Sequence, residues 1–193
     1  MGAGLWLDGL TGPARRIWAA ALFGLALVSP ATAQPVGVLD TVPEGAAVLD
    51  IRDEGACLEA SLSGARCLPA DWLLPANGPM IGFHALRWLF GTVGLRGDEV
   101  LVIYDGTERP GDVGFAVAAL AHLAGQAEVA VHRGPGTVSD AGGESRNLSR
   151  EAVYTAPMRI AEMVVSDVPK GRLSDQLAGF AKTGGVVVFP PRN

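Results

Sequence analysis

The sequence predicts an α/β fold with a central, mostly parallel sheet flanked by helices, and three stretches carry that expectation. Val100–Tyr104 (VLVIY) is apolar and β-rich at successive positions, the pattern of a strand covered on both faces. An alanine-rich run over 113–124 with helical character follows it and ends at Gly125. Glu128–His132 (EVAVH) then reads as a further strand. Strand, helix and strand at these intervals call for parallel pairing with a crossover helix.

The remaining elements extend the pattern. The run at 46–51 (AAVLDI) follows a Pro-Glu-Gly turn and reads as a buried strand. Residues 53–61 read as a short helix with Asp53 as its N-cap and Gly64 beyond its end. A brief strand is expected at 66–69, a loop at 74–79, and a helix over 81–93 closed by Gly94. Asp112 is the expected N-cap of the 113–124 helix. Beyond 136 the composition turns polar, and 137–150 reads as a linker or long loop. A strand at 158–165, a helix over 173–182 starting near Ser174 or Asp175, and a strand at 186–189 follow it. That tail, 151–193, is too short to bury much apolar area alone. It is expected to pack on the body, adding to a sheet edge, or else to present a partner surface.

The N-terminus has the form of a secretory signal. Arg15 and Arg16 precede an apolar run of about a dozen residues, too short to span ~30 Å of hydrocarbon, and SPATA then precedes Gln34. Cleavage after Ala33 is expected, with an uncleaved anchor as the competing reading, and the paired arginines also fit a twin-arginine route. The long uncharged lead over 1–13 suggests a start codon further downstream. The chain carries a formal charge of −5; losing Asp8, Arg15 and Arg16 takes it to −6. No basic cluster occurs, which argues against nucleic acid and anionic lipid as partners. No later segment has the length and hydropathy of a membrane span. The expected compartment is periplasmic or secreted.

An oxidising compartment favours joining Cys57 to Cys67, with two buried thiols or a redox-active or metal pair as alternatives. A bridge across that span would contribute roughly 2–3 kcal/mol in the loop-entropy picture. His84, His122 and His132 lack ligand-like intervals and read as surface or packing residues. No metal or other cofactor is expected. Trp72, Trp88 and Phe90 read as core or lid packing.

Asp50-Ile-Arg52, Leu62-Ser-Gly-Ala65 and Leu68-Pro69, in that order and at those intervals, resemble the rhodanese pattern D-x-R … G-H-I-P-G-A-x-x-I-P. The Val100–Tyr104 strand, its sharp loop, the helix after it and Val129-Ala-Val-His-Arg-Gly134 are similar to that family's active-site strand, loop, helix and closing strand. The resemblance covers residues 38–136 and implies a rhodanese-like three-layer sandwich over 34–136. It also implies that the loop Asp105, Gly106, Thr107, Glu108, Arg109, Pro110, Gly111 stands where the family carries its sulfur-accepting cysteine. Asp105 takes the cysteine's place. An aspartate oxygen can neither hold nor pass on sulfane sulfur, and its charge opposes an incoming anion. Two unit charges ~4 Å apart repel by about 4 kcal/mol at an effective dielectric of about 20. Ser61 stands at the family's histidine, and Cys57 and Cys67 stand away from its nucleophile.

The resemblance therefore implies a sulfurtransferase homologue without catalytic residues, one whose loop has degenerated and whose partner is another periplasmic protein. A divergent sulfur carrier using a reduced Cys57 or Cys67, or a carboxylate-dependent enzyme at the Asp105 loop, is the alternative. For the loop itself the plain expectation is that Asp105 accepts backbone hydrogen bonds, that Glu108 and Arg109 are solvated, and that Asp50 and Arg52 pair at a strand end.

Overall fold

Six parallel strands form the centre of this computed structural model, which describes residues 34–136, 138–168 and 170–191. The signal expected at 1–33 lies outside the described residues. In chain order the strands are β1 (Gly37–Leu39), β2 (Ala47–Asp50), β4 (Ala65–Cys67), β5 (Val100–Tyr104), β6 (Glu128–His132) and β8 (Glu144–Ser145); β3 (Ser61–Leu62) and β7 (Val138–Ser139) pair separately. Across the sheet the order is β1-β6-β5-β2-β4-β8, and all five pairings are parallel. The most apolar strands, β5 and β2, lie at the centre, and the short or polar ones lie at the edges. That is where burial on both faces asks for them.

The two faces are covered unequally. Leu49, Ile51, Leu101, Ile103, Val129 and Val131 point into one large core. It is roofed by α2 (Ala70–Leu73), α3 (Phe83–Thr92), α4 (Asp112–Ala124) and α5 (Leu173–Thr183). The alanines of α4 let it sit close to the sheet and to α5, and Leu177, Phe180 and Ala181 of α5 join the same core. Burying a leucine or phenylalanine side chain contributes about 1.5–3 kcal/mol, so this face carries most of the hydrophobic stabilisation. The opposite face holds a small cluster of Val48, Leu62, Ala65 and Tyr104. It is covered by α1 (Glu54–Glu59) and the antiparallel β3–β7 pair.

Cys57 of α1 and Cys67 of β4 are joined, with Cα atoms 5.8 Å apart, and both are fully buried. The Gly143 backbone lies over the bridge and its N–H donates to the Cys57 carbonyl at 2.8 Å. Anchored there, the polar stretch expected to be a linker contributes two strands, β7 and β8. It is β8, not the C-terminal tail, that extends the main sheet.

Local signals hold at several ends and fail at others. Asp53 caps α1 by accepting from Gly55 N–H at 2.9 Å, and Gly125 ends α4 in the left-handed region. Asp112 is not the N-cap of α4: Gly111 holds that position without a side-chain bond, and the Asp112 carboxylate instead pairs with Lys182 at 2.7 Å. The α5 helix begins at Leu173, as expected, but Arg172 rather than Ser174 or Asp175 stands at its N-cap, and those two side chains bond each other inside its first turn. Of the strand expected at 158–165, only β9 (Met163–Val165) is extended, preceded by a 3-10 turn at Ile160–Glu162. The Arg159 guanidinium causes the break by bonding the carbonyls of His122 and Gln126 at 3.0 Å, which ties the chain to the end of α4. Among the described residues β9 pairs only with β10 (Val187–Phe189), in a separate two-stranded parallel sheet. Phe90 is core as expected, but Trp72 and Trp88 are 36% and 41% exposed, because Ala70 and Leu73 set the inward face of α2 and Leu86 and Phe90 that of α3. Among the described residues no helix is long and apolar enough to cross a membrane.

Candidate functional site

In an open parallel sheet the crevice for chemistry lies beyond the carboxyl ends of the strands. Here the central strands β2 and β5 deliver one carboxylate each to that edge, Asp50 and Asp105.

Asp50 is completely buried and saturated with donors. It accepts from the Arg52 backbone N–H at 3.0 Å, from Arg52 Nε at 3.0 and 3.1 Å, from Arg52 Nη2 at 2.6 Å and from Ser61 Oγ at 2.6 Å. A buried charge is tolerated only when so partnered. The bond to Asp50 raises the Arg52 pKa above its ordinary value in spite of partial burial. The guanidinium also donates to the Ala60 carbonyl and lies over the Tyr104 ring, 5.0 Å from its centroid. Tyr104, whose phenol is pushed up mainly by burial, donates to the Pro135 carbonyl at 2.9 Å. Ser61 is thus a working member of the pair expected from Asp50 and Arg52. The sequence marked Ser61 only as standing at the family's histidine; its bond to Asp50 comes from the packing.

Asp105 opens the loop into α4 and is half-buried. Its Oδ1 accepts from the Thr107 N–H at 3.1 Å, and its Oδ2 accepts from the Gly111 N–H at 2.8 Å. The Thr107 hydroxyl lies 2.6 Å from both Asp105 Oδ1 and the Arg109 carbonyl, with one proton to share between them. Two of the loop's backbone donors are therefore spent on the loop's own carboxylate, and Pro110 supplies none. The shape of the loop agrees. Gly106 has φ +74°, and a Cβ there would meet Arg52 Cδ at 2.5 Å; a Cβ on Gly114 would meet Asp105 Oδ2 at 2.8 Å. The positive φ requires glycine at Gly106, and a Cβ at Gly114 would push the Asp105 carboxylate out of its place. The carboxylate thus sits against the first turn of α4, where the helix dipole favours a negative charge. Glu108 and Arg109 are exposed, and among the described residues neither forms an ion pair.

Two cavities open at this end of the sheet. One, of about 390 Å³, is lined by Asp71, Leu74, Met80, Val113, Leu173 and Asp175 among others. The other, of about 320 Å³, runs over Arg52, Asp53, Asp71 and Trp72. Asp105 lines neither. The three histidines stay apart. His84 is exposed on α3. His122 Nε2 lies 2.9 Å from Glu162, and His132 is buried with its Nδ1 3.1 Å from the Gly134 carbonyl. Burial, helped by Arg159, lowers the His122 pKa more than Glu162 raises it. Among the described residues no three His, Cys, Asp or Glu side chains come together as a metal site.

No family model matches the chain, and no curated protein matches it either. Among solved structures it is similar to one titled "Crystal Structure of Probable Thiosulfate Sulfurtransferase", at 24% identity and a TM-score of 0.44. The match covers 66% of this chain and 54% of that one, so this chain corresponds to about half of its neighbour. The α/β architecture expected from the sequence, a parallel sheet with helices on its faces, is present.

Proposed function

We propose that this chain is an exported, non-catalytic rhodanese-homology domain that works as a binding or accessory protein in a periplasmic oxidation or sulfur system. The observation that carries the reading is the Asp105 carboxylate, which takes the loop donors at Thr107 and Gly111 for itself. A sulfur-transfer site needs those donors for a thiolate and its anionic donor substrate. A reduced cysteine carrier is disfavoured by the full burial of the joined Cys57 and Cys67. A carboxylate enzyme at the loop is disfavoured because Asp105 lines neither cavity and its oxygens are already bonded.

The catalytic half of the proposal is tested by thiosulfate:cyanide transfer with the purified protein. Thiocyanate should form no faster than in the protein-free control, and sustained turnover would overturn the reading. The export half is tested by N-terminal sequencing of the protein recovered from the periplasm. The mature chain should begin at Gln34; recovery only from the cytoplasm, with residues 1–33 retained, would overturn it.

A further inference from the structure

The polar stretch 138–147 crosses directly over the Cys57–Cys67 bridge. A Cβ on Gly143 would meet Cys57 Sγ at 2.7 Å, Cys67 Sγ at 3.0 Å and the Ala65 carbonyl oxygen at 3.1 Å, and one on Gly142 would run into the Leu58 carbonyl. The backbone of this strap therefore rests on the two sulfurs with no room to spare. Gly142 also has φ +70°, whereas Gly143 lies outside the left-handed region, so lack of room alone asks for glycine at 143.

No residue of the strap is buried. Its ties are short and lie at the surface. β7 pairs with β3, and β8 with β4, over two residues each. Glu144 meets Arg66 at 3.1 Å while 71% exposed, and Ser145 Oγ donates to Glu54 Oε1 at 3.2 Å. The Arg146 guanidinium lies 4.6 Å from the centroid of the exposed Trp72 ring, and the Asn147 N–H donates to the Thr92 carbonyl at 2.9 Å. Exposed side-chain pairs of this kind contribute little. The parts beneath are held more firmly. Asp53 caps the start of α1, and Arg52, itself bound to the buried Asp50, donates to the Ala60 carbonyl at its end. β4 is an inner strand of the main sheet, paired with β2 on its other side.

We propose that the Cys57–Cys67 bond is a redox latch: joined, it lets the strap lie over α1 and β4, and reduced, it makes the strap lift. The reason is volume. Two thiols need more room than a disulfide, because unbonded sulfur atoms cannot approach as closely as bonded ones. A close-packed site has no such room to give. Of the three parts that meet at the sulfurs, the strap is the one without a buried side chain, so the strap yields. The reductant is a dithiol. When the strap opens transiently, one thiolate of the dithiol attacks a bridge sulfur and forms a mixed disulfide; its second thiolate then breaks that bond and closes the dithiol's own disulfide. Two electrons and two protons pass to the protein, and Cys57 and Cys67 become thiols. A disulfide oxidant reverses the step. The lifted state bares both sulfurs and the outer edge of β4, so this face of the molecule changes its surface with the redox state around it.

The test is hydrogen–deuterium exchange of the purified protein, read by mass spectrometry of its peptides before and after treatment with dithiothreitol under native conditions. Alkylation of the freed thiols reports the state of the bridge. Reduction should speed exchange of the 138–147 amides about tenfold or more and leave β5 and β6 as slow as before. Gly143→Ala, in which the bridge can still form, should show the same fast strap before any reduction. The proposal is overturned by a bridge that dithiothreitol does not open, by a strap equally protected in the joined and reduced protein, by β5 and β6 loosening together with it, or by an oxidised Gly143→Ala variant that exchanges like the parent.

Discussion

Asp50 and Asp105 end neighbouring strands of one sheet, yet the molecule treats the two carboxylates differently. Asp50 is sealed from solvent and held by the guanidinium two residues on and by a serine eleven residues away. Asp105 is partly wet and held by residues within six positions of itself. Asp50 therefore belongs to the global fold, because losing it strands a buried cation, whereas Asp105 belongs to its own turn. Full saturation of a carboxylate at a strand end is thus compatible with two structural roles, and in neither does it leave a free oxygen for substrate.

The largest expected effect separates the two. Asp50→Ala should cost about 3–5 kcal/mol, the range for breaking a buried ion pair from one side. Asp105→Ala removes two backbone bonds and one hydroxyl bond at a half-exposed turn, and should cost about 1–2 kcal/mol. Urea denaturation of both variants measures the gap, and equal losses would break the comparison. Thr107→Val removes only the shared hydroxyl and should cost about 0.5–1 kcal/mol by the same assay. The smallest effect is a background to subtract. The folded His122 pKa lies below its ordinary 6.5, so the unfolded chain binds the proton more readily. The stability that neutral His122 contributes is full above pH 6.5 and declines as pH falls through that value toward the folded pKa. His122→Gln should flatten the decline in chemical denaturation curves run across that window, leaving any remaining acid loss to other groups.

Much of the frame was legible in the sequence because period and composition agreed there. β5 and β6 run over the residues expected, and β2 and α4 differ by a residue at their ends. What was illegible depended on partners distant in sequence. β1, β7 and β8 are two or three residues each, too short to show a period, and pairing to a neighbour defines them. Asp112 looked like a cap from its position, but the helix already begins there with Gly111 at the N-cap, and the Asp112 carboxylate turns to Lys182, seventy residues on. The same limit applies to the site. The resemblance marked Asp105 as the anomaly, and the turn chemistry of aspartate gave its bonding. That Ser61 completes the Asp50 pair, and that Gly106 must lack a side chain because Arg52 crosses over it, follow only from the packed structure.

The most direct test of the central claim, that the Asp105 loop holds its own carboxylate and no sulfur, is the intact mass of the protein after incubation with thiosulfate and removal of excess donor. The account predicts the mass of the untreated chain, with Cys57 and Cys67 still joined. A stable gain of one sulfur atom that cyanide then removes would contradict it.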